Sequence, residues 1–333
     1  MRDAARQTRT HLLELFELHG FHPRTDLGQN FLIDLNLVEY IARQAELKRR
    51  DVVLEIGCGT GGLTTFLAQK GGHVISVDVD DKMIALARSV TAGFDNVTLL
   101  HTDALKSKNR FSPELLSVLE EKLSRQPSAF SGQQASDSQL STLNSQLSGS
   151  RLSTLDSRPS LKLVSNLPYN IATPVVSNLV ATDLPWERMV VTIQWELAQR
   201  MVAEPSTSEY GALSVWLQSQ CFVKILKKLP PNVFWPRPKV ESAIVLIRPN
   251  PAGKEQIADR PFFQDFVRRL FHQRRKLARS VLCGMYRKQL PKTEIDAILE
   301  ELGYEPDLRA ERMPVPELVR LANRIRAAMP DAC

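Results

Sequence analysis

Short apolar runs alternate with amphipathic stretches along the first hundred residues, and the alternation resumes near residue 160. The apolar runs have the length of buried strands, whereas the stretches between them repeat apolar positions every three or four residues, as helices do. This alternation predicts an α/β fold with a parallel, doubly wound sheet. The predicted strands cover 51–56, 73–78, 97–100, 161–166 and 188–193, and the predicted helices cover 34–47, 63–69, 81–90, 173–181, 196–203 and 211–217.

Two further apolar segments, 221–226 and 242–247, are predicted to pair as a hairpin at the edge of this sheet. The sequence 249–253, Pro-Asn-Pro-Ala-Gly, follows them and has the composition of a linker. Beyond the linker the apolar pattern is helical up to the end of the sequence. We therefore expect two domains, an α/β domain over 1–250 and a small all-helical domain over 255–333.

Residues 107–159 interrupt the α/β pattern. The segment is rich in Ser, Gln and Leu, and it contains the near-repeat LSTLNS and LSTLDS at 140–145 and 152–157. Serine is a poor helix former, and long structureless loops are rare inside compact domains. We expect a low-complexity insertion in the α/β domain, with a mobile surface segment as its second half.

Composition narrows the class of protein. Of the 333 residues, 43 are basic and 37 are acidic, and the net charge of +6 is compatible with nucleic-acid binding. The four cysteines lack the spacing of a zinc or redox site, and the six histidines form no ligand pattern, so no metal is predicted. The N-terminal stretch is too charged for a secretory signal, and no apolar run is long enough to span a bilayer. We expect a soluble, cytoplasmic protein.

A glycine-rich turn joins the first predicted strand to its helix. Glu55 precedes the turn, and Gly57 and Gly59 allow the backbone to approach a ligand closely. The turn alone is weak evidence, because it also suits a dinucleotide or no ligand at all. Asp78 and Asp103 end the next two strands, where carboxylates can bind ribose hydroxyls and an adenine amine. The acidic positions favour S-adenosylmethionine, which carries no phosphate, over NAD, although each aspartate alone also suits a cap or turn.

The residues that follow the fourth predicted strand suit recognition of a flat heterocycle. Asn166 Oδ1 and the Leu167 carbonyl offer two acceptors for an exocyclic amine. Pro168 fixes the backbone and Tyr169 can stack on a base. The same four residues could form an ordinary turn at the end of a strand. Their place after three other strand-end candidates favours a ligand site, because ligands of open α/β sheets gather at the carboxyl ends of strands.

Together these motifs resemble the ribosomal RNA adenine dimethyltransferase family, and the match extends over most of the chain. The resemblance implies a class I, Rossmann-like methyltransferase with a mainly parallel seven-stranded sheet and S-adenosylmethionine as cofactor. Cys58 and Thr60 stand where proline and leucine are common, which alters the turn without removing a ligand. The segments that carry the resemblance are 28–32, 55–57, 78–80, 103–104, 166–171, 210–215, 234–243 and 271–276.

The resemblance also implies residue roles. Asp78 would bind the ribose of the cofactor and Asp103 its adenine, while Tyr169 and Phe234 would lie on opposite sides of the target base. With the residues of the glycine turn, the expected cofactor contacts are Asn30, Leu32, Glu55, Gly57, Gly59, Asp78, Asp103 and Asn166. The expected catalytic residues are Asn166, Leu167, Pro168, Tyr169 and Phe234.

The implied activity is dimethylation of the N6 amines of two adjacent adenosines in a 3′-terminal hairpin loop of 16S ribosomal RNA, with a role in small-subunit biogenesis. Two alternatives share the fold: a 23S ribosomal RNA adenine methyltransferase of the antibiotic-resistance type, and a non-catalytic RNA-binding assembly or transcription factor. The intact Asn30, Asp78, Asp103 and Asn166 argue against the non-catalytic alternative. The segment 271–276 and the Pro-Arg-Pro-Lys loop favour the small subunit.

Basic residues cluster in two places, on the first helices of the C-terminal region and beside Phe234. They are expected to contact RNA phosphates, although such a cluster can also be only a solvated face. The expected partner is small-subunit ribosomal RNA or the immature 30S subunit, and nothing in the sequence requires more than a monomer. The candidate RNA-binding residues are Arg237, Lys239, Arg268, Arg274, Arg275 and Lys276.

Overall fold

The computed structural model describes residues 9–18, 20, 23–24, 28–124 and 159–329. The strands are β1 (Phe31–Leu32), β2 (Val52–Ile56), β3 (His73–Asp78), β4 (Val97–His101), β5 (Leu105–Ser107), β6 (Arg110–Phe111), β7 (Leu161–Asn166), β8 (Trp186–Gln194), β9 (Cys221–Leu229), β10 (Phe234–Trp235) and β11 (Ser242–Pro249). The helices are α1 (Arg9–Leu18), α2 (Leu35–Gln44), α3 (Gly62–Lys70), α4 (Asp81–Thr91), α5 (Pro113–Ser124), α6 (Ala172–Ala181), α7 (Trp195–Val202), α8 (Ala212–Gln218), α9 (Pro251–Glu255), α10 (Arg260–His272), α11 (Ala278–Met285), α12 (Lys292–Glu301) and α13 (Val315–Ala328).

The central sheet has seven strands in the order β4-β3-β2-β7-β8-β11-β9. Strands β4, β3, β2, β7 and β8 run parallel, and β11 pairs antiparallel with both β8 and β9. The predicted doubly wound, mainly parallel sheet with an antiparallel pair at its edge is therefore confirmed. Because β2, β3, β4 and β7 run in the same direction, their carboxyl ends meet at one edge of the sheet, where a ligand site is expected.

Local sequence explains where the helices near this edge begin. Asp34 caps α2, since its side chain accepts hydrogen bonds from the backbone N–H groups of Asn36 and Leu37. Asp80 caps α4 in the same way through the N–H of Lys82. Every residue of β2 is buried, as expected for an inner strand that is covered by helices on both faces.

The structure contradicts the first part of the predicted insertion, residues 107–124, which forms regular secondary structure. Strand β6 and helix α5 lie within 107–124, and Leu115 and Leu119 of α5 are fully buried in the main core. Ser112 begins the helix, because its side chain accepts a hydrogen bond from the N–H of Leu115. These residues therefore belong to the packed α/β layers, and the rest of the predicted insertion, 125–158, lies outside the described residues.

The C-terminal helices share one hydrophobic core with the sheet. Phe263 of α10 and Leu318 of α13 belong to the same buried cluster as Leu54 of β2. The prediction of a linker over 249–253 is wrong, because α9 begins at Pro251. The Asn250 side chain caps this helix by accepting a hydrogen bond from the N–H of Gly253. The prediction of helices beyond residue 250 is confirmed, and these helices pack directly on the α/β layers through α8.

A search of the described residues found no helix with both the length and the apolar character needed to cross a membrane.

Candidate active site

A cleft opens at the carboxyl edge of the sheet, where four segments of the chain meet. These are the loop leading into β1, the glycine turn after β2, the end of β3 and the segment after β7. The cleft brings together ten of the residues singled out in the sequence. They are Asn30, Leu32, Glu55, Gly57, Gly59, Asp78, Asn166, Leu167, Pro168 and Tyr169.

The glycine turn lies directly against the segment after β7. Gly57 has a φ of 82°, a backbone conformation that disfavours a side chain, and a Cβ built there would lie 3.0 Å from Pro168 Cδ. Gly59, with a φ of 51°, approaches the Phe31 ring in the same way, with a built Cβ 2.9 Å from its Cε1. Glycine at these positions therefore lets three segments close around the floor of the cleft.

Asp78 fixes the far wall of the cleft. One carboxylate oxygen accepts a hydrogen bond from the N–H of Gly59 at 3.0 Å, and the other accepts one from the N–H of Asp80 at 3.0 Å. Burial raises the pKa of Asp78, while these backbone hydrogen bonds act in the opposite direction. Cys58 Sγ donates a longer hydrogen bond of 3.8 Å to the first oxygen, and the second oxygen keeps a lone pair that can accept a hydroxyl group from a ligand.

Glu55 is a buried acid beside the cleft. Its Oε2 accepts hydrogen bonds from Thr64 Oγ1, at 2.6 Å, and from Ser76 Oγ. Burial raises the pKa of Glu55 to about 8, although the two hydroxyl groups lower it. At neutral pH the carboxyl group is therefore mainly protonated.

Asn166 has the most informative geometry of the site. Its Nδ2 donates a hydrogen bond to the backbone carbonyl of Asn30 at 2.8 Å, which fixes the direction of the carboxamide. Its Oδ1 is buried and has no hydrogen-bond partner among the described residues. A buried oxygen without a partner is costly, so this atom is suited to accept a hydrogen bond from a ligand.

Tyr169 and Phe234 differ in their exposure. Tyr169 lines the cleft, is half-buried, and shares a hydrogen bond of 2.7 Å between its hydroxyl and Ser242 Oγ. Phe234 is 2% exposed, pairs with Leu32 between β10 and β1, and packs in the core with Ile41 of α2. The structure therefore does not place the Phe234 side chain on the surface of the cleft.

Asp103 lies outside the cleft. It is exposed, two residues beyond β4, and its Oδ1 accepts a hydrogen bond from the N–H of Leu105 at 2.8 Å. Asp103 is therefore not among the residues that line the cleft, although its neighbour Thr102 donates a backbone hydrogen bond to the Asp78 carbonyl at 3.1 Å, and its side chain adopts the turn geometry of the alternative prediction.

The predicted RNA-binding residues lie on two surfaces. Arg237 and Lys239 are exposed in the loop between β10 and β11. Arg268, Arg275 and Lys276 are exposed on α10 and the loop after it. Arg274 differs from these residues, because its Nη1 donates hydrogen bonds to the carbonyls of Ser208 and Tyr210 at 2.8 and 2.6 Å.

Two further residues position the site and were missed in the sequence. Ser242 lies in a matching segment but had no role there, because its contact with Tyr169 spans 73 positions. Gln29 donates to Asp80 Oδ2 at 2.9 Å and so connects the loop before β1 to the start of α4. The sequence signal for Gln29 is its place beside Asn30, whereas the neighbours of Ser242, Glu241 and Ala243, do not line the cleft.

The sheet order and the cleft at its carboxyl edge define a class I, Rossmann-like methyltransferase. The family model described as ribosomal RNA adenine dimethylase matches residues 20–325, and the chain belongs to this family. Among curated relatives, the ribosomal RNA small subunit methyltransferase A of Pediococcus pentosaceus is 33% identical over 327 residues, covering 97% of this chain and 96% of the relative. The protein of the same name from Halothermothrix orenii is 30% identical over 312 residues, covering 94% and 91%.

Solved structures agree on the fold. A dimethyladenosine transferase from Plasmodium falciparum has a TM-score of 0.65 at 22% identity, over 89% of this chain and 97% of the other. The 23S rRNA methyltransferase ErmE has a TM-score of 0.55 at 21% identity, over 89% and 99%. The fold and family predicted from the sequence are therefore confirmed.

Proposed function

We propose that this protein uses S-adenosylmethionine to dimethylate the N6 amines of two adjacent adenosines in a 3′-terminal hairpin loop of 16S ribosomal RNA. The single observation that carries the proposal is the buried, unpartnered Oδ1 of Asn166, one residue before the Leu167 carbonyl. The sequence relatives named small subunit methyltransferase A support the small subunit as the target.

The donor set of the cleft supports this cofactor. Among its described lining residues are two acids, Glu55 and Asp78, and no Lys, Arg or His. A pyrophosphate would lack a cationic partner there, whereas the Asp78 carboxyl group suits a molecule that carries sulfonium and ammonium groups. When bound, S-adenosylmethionine supplies a methyl group on a positively charged sulfur. Asp78 would accept the ribose hydroxyls, and Asn30 and Leu32 would line the methionine end.

Asp103 remains a proposed contact to the adenine of the cofactor. Its Oδ1 is used by Leu105, but Oδ2 retains the capacity to accept a hydrogen bond from an amine. Gly57 and Gly59 would form the floor beneath the cofactor.

Asn166 and Leu167, at the end of β7, would activate the target amine by holding it in a reactive orientation. Adenine N6 is a weak nucleophile, because its lone pair is delocalised into the ring. Asn166 Oδ1 and the Leu167 carbonyl can accept the two N6 hydrogens, which favours a pyramidal nitrogen with its lone pair directed at the methyl group. This arrangement aligns the in-line displacement and stabilises the positive charge that grows on N6. No strong base is required, since N6 becomes acidic once it is alkylated.

Tyr169 would stack on the adenine after the base leaves its loop. Pro168 holds the backbone on which both acceptors depend. Phe234, being buried, would act from behind the cleft by supporting β1. Dimethylation requires a second round with a monomethylated amine in the same place.

The proposed partner is the small-subunit RNA, free or in an immature 30S particle. With this partner the protein would act in the cytoplasm and take part in the biogenesis of the small subunit. Exposed Arg237, Lys239, Arg268, Arg275 and Lys276 would contact its phosphates. We propose that the protein acts as a monomer, since nothing in the sequence requires a second copy.

The test is Asn166→Ala. We expect methyl transfer to fall at least about 100-fold, because an acceptor for the developing charge is lost. Binding of S-adenosylmethionine, measured by calorimetry, should weaken far less. The substrate is small subunits from cells that lack this protein, with radiolabelled cofactor and primer extension to locate the modified bases.

Asn109→Ala is the matched control, because Asn109 is an exposed asparagine of the β5–β6 turn, outside the cleft. It should methylate as the wild type does. Wild-type turnover by Asn166→Ala would remove the basis of the proposal.

A further inference from the structure

An exposed aromatic residue stands on the edge strand of the central sheet. Phe222 of β9 is 56% exposed, whereas the strand's end residues, Cys221 and Leu229, are buried. Its direct cross-strand partner is the exposed Arg248 of β11. The exposed Lys224 follows two positions after Phe222, and alternate residues of a strand share a face. Phe222, Lys224 and Arg248 therefore lie together on one face of the sheet.

This face continues onto helix α2. Leu246, the partner of Lys224, packs with residues of α2, so the exposed residues lie on the side of the sheet that α2 covers. The Tyr40 ring of α2 has Lys227 Nζ 5.9 Å from its centroid and Arg43 Cζ 5.6 Å from it. We define the edge surface as Tyr40, Arg43, Phe222, Lys224, Lys227 and Arg248.

The edge surface carries two aromatic rings and four positive charges. Strands β9 and β11 contain no acidic residue, and Glu241, just before β11, pairs with Lys228 at 2.6 Å. Glu39 is the acid on α2. Lysines alone would be explained by protection of an edge strand against pairing. An exposed phenylalanine at the same edge works against that protection, so it calls for another explanation.

The edge surface lies at a fixed distance from the active site. Strand β11 runs from Ser242, which contacts Tyr169, to Arg248, a separation of about 20 Å at roughly 3.3 Å per residue. Ser242, Ile244, Leu246 and Arg248 alternate along the strand and so share this face. Ser242 and Ile244 are fully buried, so an RNA chain that occupies both the cleft and the edge surface would cover this distance over the outer surface of the protein.

We propose that the edge surface binds a single-stranded segment of RNA next to the target adenosines, with one base stacked on Phe222 and phosphates on Lys224 and Arg248. An aromatic ring between cations on an open sheet is the chemistry that binds unpaired nucleotides. Duplex RNA keeps its bases inside the helix and cannot use the ring. The identity of this RNA as substrate depends on the proposed function, but its binding does not.

The test uses a fluorescent 12-nucleotide single-stranded RNA and a duplex of equal length, with fluorescence anisotropy and no methyl donor. Phe222→Ala should weaken single-strand binding about tenfold and leave duplex binding unchanged. Lys224→Ala and Arg248→Ala should each lower the slope of log affinity against log salt by about 0.7. Leu13→Ala and Lys70→Ala are the controls, because these exposed residues of α1 and α3 lie away from β9 and β11.

Single-strand binding by Phe222→Ala equal to that of Leu13→Ala would overturn the proposal, as would equal salt slopes for Lys224→Ala and Lys70→Ala. Sedimentation velocity supplies a further check: loss of self-association in Phe222→Ala, with RNA binding intact, would make the surface a protein contact and also overturn it. If the wild type binds through Phe222 but methylates no RNA, the proposed function fails and the edge surface stands.

Discussion

The hydroxyl of Tyr169 is held by a residue of β11, which lies two strands away from β7 in the sheet. Ser242 is fully buried at the start of β11, and its Oγ lies 2.7 Å from the Tyr169 hydroxyl. Burial raises the pKa of Tyr169, so the phenol stays protonated at neutral pH and can donate to Ser242. This bond restricts rotation of the ring that is proposed to stack on the target base, and Ser242 is thus a positioning residue.

A double-mutant cycle measures this positioning. Ser242→Ala and Tyr169→Phe should each lower kcat about 3- to 10-fold, because each removes the same hydrogen bond. The double variant should be no worse than either single variant, since the bond can be lost only once. Calorimetric affinity for S-adenosylmethionine should stay within about twofold, and Ser242→Thr should restore part of kcat. Additive losses in the double variant would mean that the two side chains act separately.

The sequence predicts a residue of the site well when its chemistry depends on residues that are close to it along the chain. Asn166 and Tyr169 follow a strongly apolar strand, and their chemistry is legible from four successive residues. The Asn30 carbonyl that orients Asn166 is 136 positions away, and no local pattern indicates it. Asp103 was grouped with the cleft by its position after a strand, but its bond to Leu105 depends on how the chain turns there.

At the scale of elements, the turn between β2 and α3 sets the width of the cleft. Gly57→Ala should lower the free energy of unfolding by about 1–2 kcal/mol, because it forces a positive φ on alanine. The new Cβ would also press on the Pro168 ring, from which it would be only 3.0 Å away. We therefore expect the rate of methyl transfer by the folded variant to fall, in addition to the loss of stability. Urea unfolding and a methylation assay at saturating cofactor measure the two effects.

Gly303→Ala is the control for this prediction. Gly303 also has a positive φ, 73°, but no atom of the described residues lies within 4 Å of a Cβ built there. It should show the loss of stability without the loss of activity. Equal activity of the two variants would mean that contact between the turn and Pro168 does not shape the site.

The elements whose bounds the sequence predicts well are strands in which nearly all residues are apolar and buried. Strand β3 has the predicted bounds, and β2 differs from its prediction by one residue. Helix α5 was overlooked, because the Ser-rich composition of the residues that follow it obscured a Ser-Pro-Glu start and two buried leucines. Helix α9 begins where the sequence predicts a linker, since proline suits the first turn of a helix as well as a loop.

At the scale of the whole molecule, the C-terminal helices are fastened to the catalytic domain through α8 and the segment before it. Tyr210 is fully buried, and its hydroxyl donates to the Met313 carbonyl at 2.8 Å. Arg274 completes the connection through the Ser208 and Tyr210 carbonyls, and its Nε lies 3.8 Å from Glu311 Oε2. The cleft and the basic surface of α10 therefore keep a fixed relation, which suits one RNA bound by both.

Substitution of two neighbouring arginines, Arg274 and Arg275, distinguishes the structural role of the first from the RNA-binding role proposed for the second. Arg274→Ala should lower the free energy of unfolding by about 1–3 kcal/mol, because two carbonyls lose a charged donor. Arg275→Ala, at an exposed side chain, should change it by no more than about 0.5 kcal/mol. RNA affinity should show the reverse order, with the salt slope lowered in Arg275→Ala and little changed in Arg274→Ala once both are folded. Urea unfolding and anisotropy with a small-subunit RNA fragment measure both quantities, and equal stability of the two variants would contradict the structural role of Arg274.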